Sequence, residues 1–233
     1  MKQAWTNTTR GGKTKGFFLL VGGFILLVIT FWAAGVIIKE VAPNVIRRFF
    51  DRPVLDFIVD LRTGGLTSLM KLLNVFGSTA FGVIFLLGGA VVSFALSRDV
   101  RFPIFFLLVL LGLFILDDLI KQLITLRRPG VSNLVPPREA GFPDGYTTVA
   151  SGLAYAVSFF LIERQPTRLI SWIWPVMTIV AILIGFARCY LGVAWPTDAL
   201  AGFALGAGWG TVCGTSVKIF FGYQRLWPRR ARA

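Results

Sequence analysis

The sequence has no histidine among its 233 residues and only two cysteines. Histidine is the commonest general base near neutral pH and a common ligand of protein-bound metals, so its absence removes the usual residue for both tasks. We expect Cys189 and Cys213 to be too far apart for a disulfide, because the hydrophobic runs described below place them near opposite faces of a membrane. The sequence therefore predicts no metal site and no cofactor.

Acidic residues are also scarce, with 11 Asp+Glu against 24 Lys+Arg and a formal net charge of +13. A basic balance can indicate nucleic-acid binding, but no soluble segment combines basic and aromatic residues in the way that such binding needs. In a chain that is 55% hydrophobic, the excess is typical of charges that orient membrane spans and attract anionic headgroups. We therefore expect membrane lipids, and not nucleic acid, as partners.

No polar stretch of the chain is long enough to bury a core of its own. The apolar residues instead form runs of about 20 residues, the length that crosses the hydrocarbon layer as a helix. The pattern predicts an all-α polytopic membrane protein, a bundle of six transmembrane helices. The predicted spans are 17–38, 77–96, 102–126, 145–162, 169–186 and 197–217.

These spans form a single membrane domain over 16–217, between a polar tail at 1–15 and a basic tail at 218–233. Basic residues are densest in the two tails, which predicts that both termini are cytoplasmic. We expect an integral protein of a bacterial inner (plasma) membrane.

Between the first two spans, residues 43–72 are mixed and charged. Leu55, Ile58, Val59 and Arg62 recur at helical spacing, which predicts an amphipathic helix at the outer interface. The simpler interpretation, which we favour, is a helix that packs against the bundle and covers it.

Three polar clusters meet at the outer face in this topology. The first contains Lys121 and Arg128, which are seven positions apart and would project from one helical face near the end of span three. A lysine and an arginine together suit a phosphate, because one supplies a point charge and the other a two-pronged donor.

The second cluster surrounds Gly145 at the start of span four, where a helix N-terminus offers backbone N–H groups to an anion. The third joins Arg188, at the end of span five, to Asp198, at the start of span six.

Lys121, Arg128 and Pro129 resemble the first motif of the type-2 phosphatidic acid phosphatase superfamily, a lysine and an Arg-Pro pair separated by six residues. This superfamily includes lipid phosphate phosphatases and undecaprenyl diphosphate phosphatases. The resemblance covers most of the chain and implies the same six-helix fold.

The second motif of that superfamily is Pro-Ser-Gly-His. Pro143 and Gly145 match it, while Asp144 replaces the serine and Tyr146 replaces the histidine. An alternative alignment starts at Ser151, but it leaves too few residues for span four to cross the membrane.

The third motif is Ser-Arg, five residues, His, three residues, Asp. Arg188 and Asp198 match it, while Ala187 replaces the serine and Ala194 replaces the histidine. The resemblance implies that a histidine at position 194 would attack phosphorus, that Asp198 would orient it, and that a histidine at position 146 would protonate the leaving group. Ala194 has no nucleophilic atom, so covalent catalysis by this route is lost.

Two residues could replace part of the missing chemistry. Tyr146 is a poor acid–base catalyst near neutrality, since its ordinary pKa is about 10. Asp144 is a conceivable nucleophile of the aspartyl-phosphate kind. It would also oppose phosphate binding or pair with a cation, and Asp117, one turn before Lys121, should pair with that lysine.

The sequence thus predicts a catalytically inactive member of this superfamily, with degenerate positions at Asp144, Tyr146, Ala187, Ala194 and Asp198. It would bind an anionic lipid or phosphate at the outer face, or act as an accessory subunit of a membrane complex. The alternatives are an active lipid or polyprenyl phosphate phosphatase with a non-histidine nucleophile, and a lipid carrier or scramblase. A further possibility is that the charges form only a structural ion-pair network. The expected anion-binding residues are Lys121, Arg128, Gly145 and Arg188.

Overall fold

The computed structural model describes residues 2–41, 43–124, 126–137, 141–164 and 172–221. In these residues the chain forms helices and loops, with no strand. Two π-helical stretches, Ile37–Val41 and Arg47–Asp51, flank the short helix Pro43–Ile46. The stretch Arg47–Asp51 is named the π segment below. The helices are α1 (Lys2–Val36), α2 (Pro43–Ile46), α3 (Arg52–Asp60), α4 (Gly64–Phe76), α5 (Thr79–Ser97), α6 (Arg101–Leu123), α7 (Gly145–Arg164), α8 (Ile173–Tyr190) and α9 (Pro196–Phe221).

Six helices of the described part are long and apolar enough to cross a membrane: α1 and α5 to α9. This confirms the all-α, six-span prediction. The backbone of α1 is already helical from Lys2, while residues 222–233 of the predicted basic tail lie outside the described residues. The domain boundaries and the cytoplasmic position of the termini stay predictions.

Helices α7 and α9 pack closely against each other, and residues at the start of both helices form the candidate site described below. Helix α9 carries glycines at every fourth position, so they form one stripe against α7. A Cβ added at Gly206 would lie 2.1 Å from the Ser151 hydroxyl oxygen and 2.2 Å from the Thr148 carbonyl oxygen. Because the glycines lack side chains, the two backbones can approach this closely. The glycine stripe consists of Gly202, Gly206, Gly210 and Gly214.

Residues 43–72 contain several short elements, and the stretch predicted to be an amphipathic helix corresponds to α3 (Arg52–Asp60). They divide into α2, the π segment, α3 and the start of α4. Leu55 and Ile58 are only 1% and 6% exposed and pack against Tyr190 and Leu191 at the end of α8. Helix α3 therefore packs against the end of α8; its role as a cover of the bundle and its position at the membrane interface stay predictions.

Hydrogen bonds attach the turn after α3 to Tyr190, at the end of α8, and to Ser132. Arg62 donates from Nε to the Tyr190 carbonyl oxygen (3.0 Å) and from Nη1 to Ser132 Oγ (2.9 Å). The Thr63 N–H donates to the Tyr190 hydroxyl (2.9 Å), and the Thr63 side chain caps α4 by accepting from the Leu66 N–H. The 43–72 region is therefore attached to the junction of α8 and α9.

Candidate functional site

The predicted second and third clusters meet where α7 and α9 begin. Helix α9 starts at Pro196, a residue whose missing N–H costs nothing at the first position of a helix. The backbone N–H of Asp144 donates to the carbonyl oxygen of Asp198 (3.0 Å). This main-chain bond joins the two helix starts and places both carboxylates at one end of the bundle.

Asp144 is the N-cap of α7. One carboxylate oxygen, Oδ2, accepts from the Thr147 backbone N–H (3.1 Å) and from Thr147 Oγ1 (2.8 Å). A short acceptor at this position satisfies N–H groups that have no partner within the helix. The residue that replaces the expected serine therefore retains the capping role of a serine and adds a negative charge.

Arg188, in the last turn of α8, binds that charge. It is 1% exposed, and its Nε and Nη2 lie 3.1 to 3.3 Å from the two Asp144 oxygens. Nη1 donates to Asn74 Oδ1 (3.0 Å), and the guanidinium lies 3.9 Å from the centre of the Tyr146 ring. Such two-pronged, charge-assisted pairs are among the strongest polar contacts in proteins. The protein itself surrounds this guanidinium with a carboxylate, an amide and an aromatic ring.

Arg128 reaches the same carboxylate from a loop and not from a helix. The expectation that it shares a helical face with Lys121 is wrong, because α6 ends at Leu123 and Ile124 is extended (φ −137°, ψ 113°). Arg128 Nη1 lies 4.0 Å from Asp144 Oδ1 and also donates to the Val193 carbonyl oxygen.

Hydrogen bonds attach this loop to other parts of the chain. Trp195 Nε1 donates to the Arg127 carbonyl oxygen (3.0 Å), and the Gly141 N–H donates to the Leu126 carbonyl oxygen (3.2 Å). Arg128 also precedes a proline, a position that disfavours helical backbone. The loop therefore delivers the arginine that the helix was expected to carry.

Lys121 forms the predicted ion pair with Asp117, with Nζ 2.6 Å from Oδ2. A Cβ added at Gly145 would lie 2.8 Å from both of these atoms. The lysine ammonium is thus beside the first residue of α7, and a side chain at this position would displace the Lys121–Asp117 pair. Lys121, Arg128 and Arg188 are named the cation cage below; the two arginines approach the Asp144 carboxylate, and the lysine lies beside Gly145.

The charge state of Asp144 follows from these contacts. Burial by itself would raise the pKa of the carboxyl group. The charge and hydrogen bonds of Arg188, the Thr147 hydrogen bonds and the charge of Arg128 outweigh burial, so the Asp144 pKa lies below its ordinary value of 3.8. Asp144 is a carboxylate at neutral pH.

Asp198 has a separate partner that the sequence analysis missed. Arg47 of the π segment places Nη2 3.3 Å from Asp198 Oδ1 and Nη1 3.3 Å from Asp51 Oδ2. Asp51 in turn accepts from Thr197 through both the backbone N–H (2.9 Å) and Oγ1 (2.8 Å). The Arg47 guanidinium also lies 4.7 Å from the centre of the Trp195 ring. This network holds the π segment on the start of α9.

The other degenerate positions carry no reactive group. Ala187 and Ala194 are fully buried. Ser151, the start of the alternative alignment, lies inside α7 and donates to the carbonyl oxygens of Thr148 and Gly202. The geometry therefore favours the alignment at Asp144. Within the described residues, no three His, Cys, Asp or Glu side chains are placed to share a metal ion.

A cleft of about 580 Å³ lies between α5, α6 and α7. Its lining includes the polar side chains of Asp117, Asp118 and Gln122, together with Leu113 and Gly145. Gly145 directly follows Asp144, so the cleft ends one residue away from the cation cage.

Sequence comparison finds one family for this region: the family model of the PAP2 superfamily matches residues 102–221. Phosphatidylglycerophosphatase B of Bacillus subtilis is 31% identical over 94 residues, which are 40% of this chain and 46% of that protein. An undecaprenyl-diphosphatase of Sulfolobus acidocaldarius is 32% identical over 71 residues, 30% of this chain and 31% of that protein. The matched stretches therefore span less than half of each of these relatives.

Two solved structures share the fold. A transmembrane PAP2-type phosphatidylglycerolphosphate phosphatase from Bacillus subtilis superposes with a TM-score of 0.69 at 23% identity, over 84% of this chain and 94% of that one. Aquifex aeolicus LpxE superposes with a TM-score of 0.58 at 22% identity, over 70% of this chain and 93% of that one. At 22% and 23% identity, the likeness to these two structures establishes the fold alone. The chemistry has to be inferred from the residues of the site.

Proposed function

The chain belongs to the PAP2 superfamily, and from that premise we propose that it is a lipid phosphate phosphatase-like membrane protein that does not transfer phosphoryl groups. It works instead as a non-hydrolysing component of the membrane. It holds an anionic lipid or phosphate group at the cation cage, or it supports a membrane complex.

The observation that carries this proposal is Ala194. Phosphoryl transfer through a covalent intermediate needs an atom with a lone pair at the attacking position, and a methyl group has none. Ala194 is completely buried, and the chain contains no histidine that could take its place. The carboxylate expected to orient such a histidine, Asp198, is paired with Arg47 instead.

A second candidate is an active phosphatase with Asp144 as the nucleophile. The relatives named above are phosphatases by name, which favours this candidate, and Asp144 lies within 4.0 Å of two cations of the cage, Arg128 and Arg188. To attack phosphorus, however, an Asp144 oxygen would have to leave Arg188 or Thr147, because both oxygens accept hydrogen bonds. The geometry therefore favours the non-hydrolysing function.

Trapping of a phosphoenzyme separates the two candidates. The purified protein would be mixed with phosphatidic acid labelled with ³²P, quenched in acid and counted after denaturing electrophoresis. We expect no label on the protein. Label that hydroxylamine removes, and that Asp144→Ala abolishes, would indicate an acyl phosphate and establish the second candidate.

The proposed setting is a bacterial plasma membrane with both termini in the cytoplasm, which would place the cation cage at the outer face. Membrane lipids are then the immediate partners. The accessory-subunit form of the proposal is tested by purification in mild detergent: it requires a second protein that co-purifies in a fixed ratio, and a chain that always elutes alone contradicts it.

A further inference from the structure

The centre of the cation cage is filled by a carboxylate of the same chain. Arg188 bonds both oxygens of Asp144, and Arg128 Nη1 is 4.0 Å from one of them. Asp144 and Arg188 are also almost completely buried. The donors that would hold a phosphate group are thus already bound to an anion.

We propose that the cage is a latent binding site for a phosphate group, and that Asp144 is its built-in occupant. An incoming phosphate monoester or inorganic phosphate must displace the carboxylate to bind. The inference rests on the proposed function, because it assumes that the cage holds a phosphate and does not hydrolyse it.

Charge explains why Asp144 and phosphate exclude each other. Arg128, Arg188 and Asp144 together carry a formal charge of +1, and removal of the carboxylate charge would leave +2 in a buried site. Lys121 adds little to this balance while it is paired with Asp117 at 2.6 Å. Phosphate offers more acceptor oxygens than a carboxylate, but it gains the arginines only if Asp144 gives them up.

Capping does not account for the charge of Asp144. The Thr147 N–H and hydroxyl need only an acceptor, and serine and asparagine cap helices about as well as aspartate does. What aspartate adds is a full negative charge bonded to a buried guanidinium. The capping role and the occupant role can therefore be separated by substitution.

A cleft lies beside the cage. The cleft between α5, α6 and α7 is lined by Asp117 and Gly145. Gly145 is the residue beside which the Lys121 ammonium lies. The cleft therefore lies next to the first residue of α7, one position from Asp144.

The test compares the native protein with Asp144→Ser and Asp144→Asn. Both variants keep a capping acceptor and remove the charge; serine also vacates the central volume, whereas asparagine leaves it filled. Inorganic phosphate would be titrated into each purified protein in detergent by calorimetry, with thermal melting in added phosphate as a second readout. Asp144→Ser combined with Arg188→Gln is the matched control, because it removes the main donor without leaving an unpaired buried carboxylate.

We expect Asp144→Ser to bind phosphate at least about tenfold more tightly than the native protein, since a charge-assisted hydrogen bond to phosphate replaces the lost one. Asp144→Asn should gain less, and the control variant should not bind. Phosphate should also raise the melting temperature of Asp144→Ser more than that of the native protein.

A second arm identifies the form of the phosphate. The proteins would be placed in nanodiscs of phosphatidylcholine with or without phosphatidic acid, and the inorganic phosphate titration would be repeated. If phosphatidic acid weakens binding to Asp144→Ser, a lipid headgroup enters the same site. If it does not, the cage takes the free anion; both results support a latent phosphate site.

Three results would overturn the inference: native protein that binds phosphate as tightly as Asp144→Ser, folded variants that bind no better than the control, or failure of both single variants to fold. The last would show that the charge serves structure. None of these outcomes bears on the phosphoenzyme measurement, so the failure of this inference is distinguishable from that of the proposed function.

Discussion

Arg47 and Asp198 form an ion pair with 3.3 Å between Nη2 and Oδ1, although 151 positions separate them in the chain. Asp198 is completely buried, and the same arginine lies 3.3 Å from Asp51. Where the family resemblance implies an imidazole beside Asp198, this protein provides a guanidinium from the π segment. The site therefore differs from the family pattern in two ways: it contains no histidine, and Asp198 pairs with an arginine.

Removal of Arg47 should destabilise the protein strongly. Arg47→Ala leaves two buried carboxylates without their cation, and such changes cost roughly 3 kcal/mol. The measurement is the free energy of unfolding in mild detergent. Lys39→Ala is the control, because the Lys39–Glu40 pair is more than half exposed and should contribute less than about 1 kcal/mol. Equal losses in the two variants would contradict a structural role for Arg47.

Loss of Arg47 should also expose Cys189. This thiol is buried in the cluster that α3 covers through Leu55 and Ile58. The measurement uses Cys213→Ser as the background, so that Cys189 is the only thiol. In this background Arg47→Ala should accelerate the labelling of Cys189 by a maleimide several-fold, because the π segment no longer holds α3 against the end of α8. An unchanged labelling rate in a folded protein would show that α3 stays in place without the ion pair.

Asp144 predicts a specific loss of stability in acid. Its folded-state pKa is lower than its ordinary value of 3.8, so its ion pair stabilises the fold fully above that value. The contribution is lost as the pH falls from about 3.8 toward the folded-state pKa. The melting temperature of the native protein should therefore fall more steeply below pH 4 than that of Asp144→Asn. Parallel curves would mean that Asp144 does not titrate as an ion-paired carboxylate.

The glycine stripe should tolerate no side chain at its centre. In Gly206→Ala the new Cβ would meet the Thr148 carbonyl oxygen at 2.2 Å, so α7 and α9 must separate, at a cost of about 3 kcal/mol or more. Gly88→Ala is the matched control, since nothing lies within 4 Å of its added Cβ. Thermal melting of the two variants should differ clearly; similar melting temperatures would show that the helix contact is looser.

The sequence predicted well whatever depends on neighbouring positions. Hydrophobic runs located the six spans to within a few residues of the apolar stretches that can cross a membrane, although α1 itself begins much earlier, at Lys2. A four-residue spacing was enough to pair Asp117 with Lys121. The predicted start of the sixth span, residue 197, also lies one position from the first residue of α9, Pro196.

Contacts between distant segments were beyond such reasoning. No pattern around Arg47 indicates Asp198 as its partner, since only the tertiary packing of α3 on the α8–α9 corner brings them together. The end of α6 at Leu123 was misjudged for the same reason. The hydrogen bonds from Trp195 and Gly141 that attach the following loop come from later parts of the chain.

Steady-state phosphate release tests the central claim most directly. Purified native protein, Asp144→Ala and a protein-free blank would be assayed with phosphatidic acid and with undecaprenyl diphosphate. The account predicts the same release in all three, because Ala194 provides no nucleophile and Asp144 is bound to Arg188. Release by the native protein above the blank, and its loss in Asp144→Ala, would contradict it.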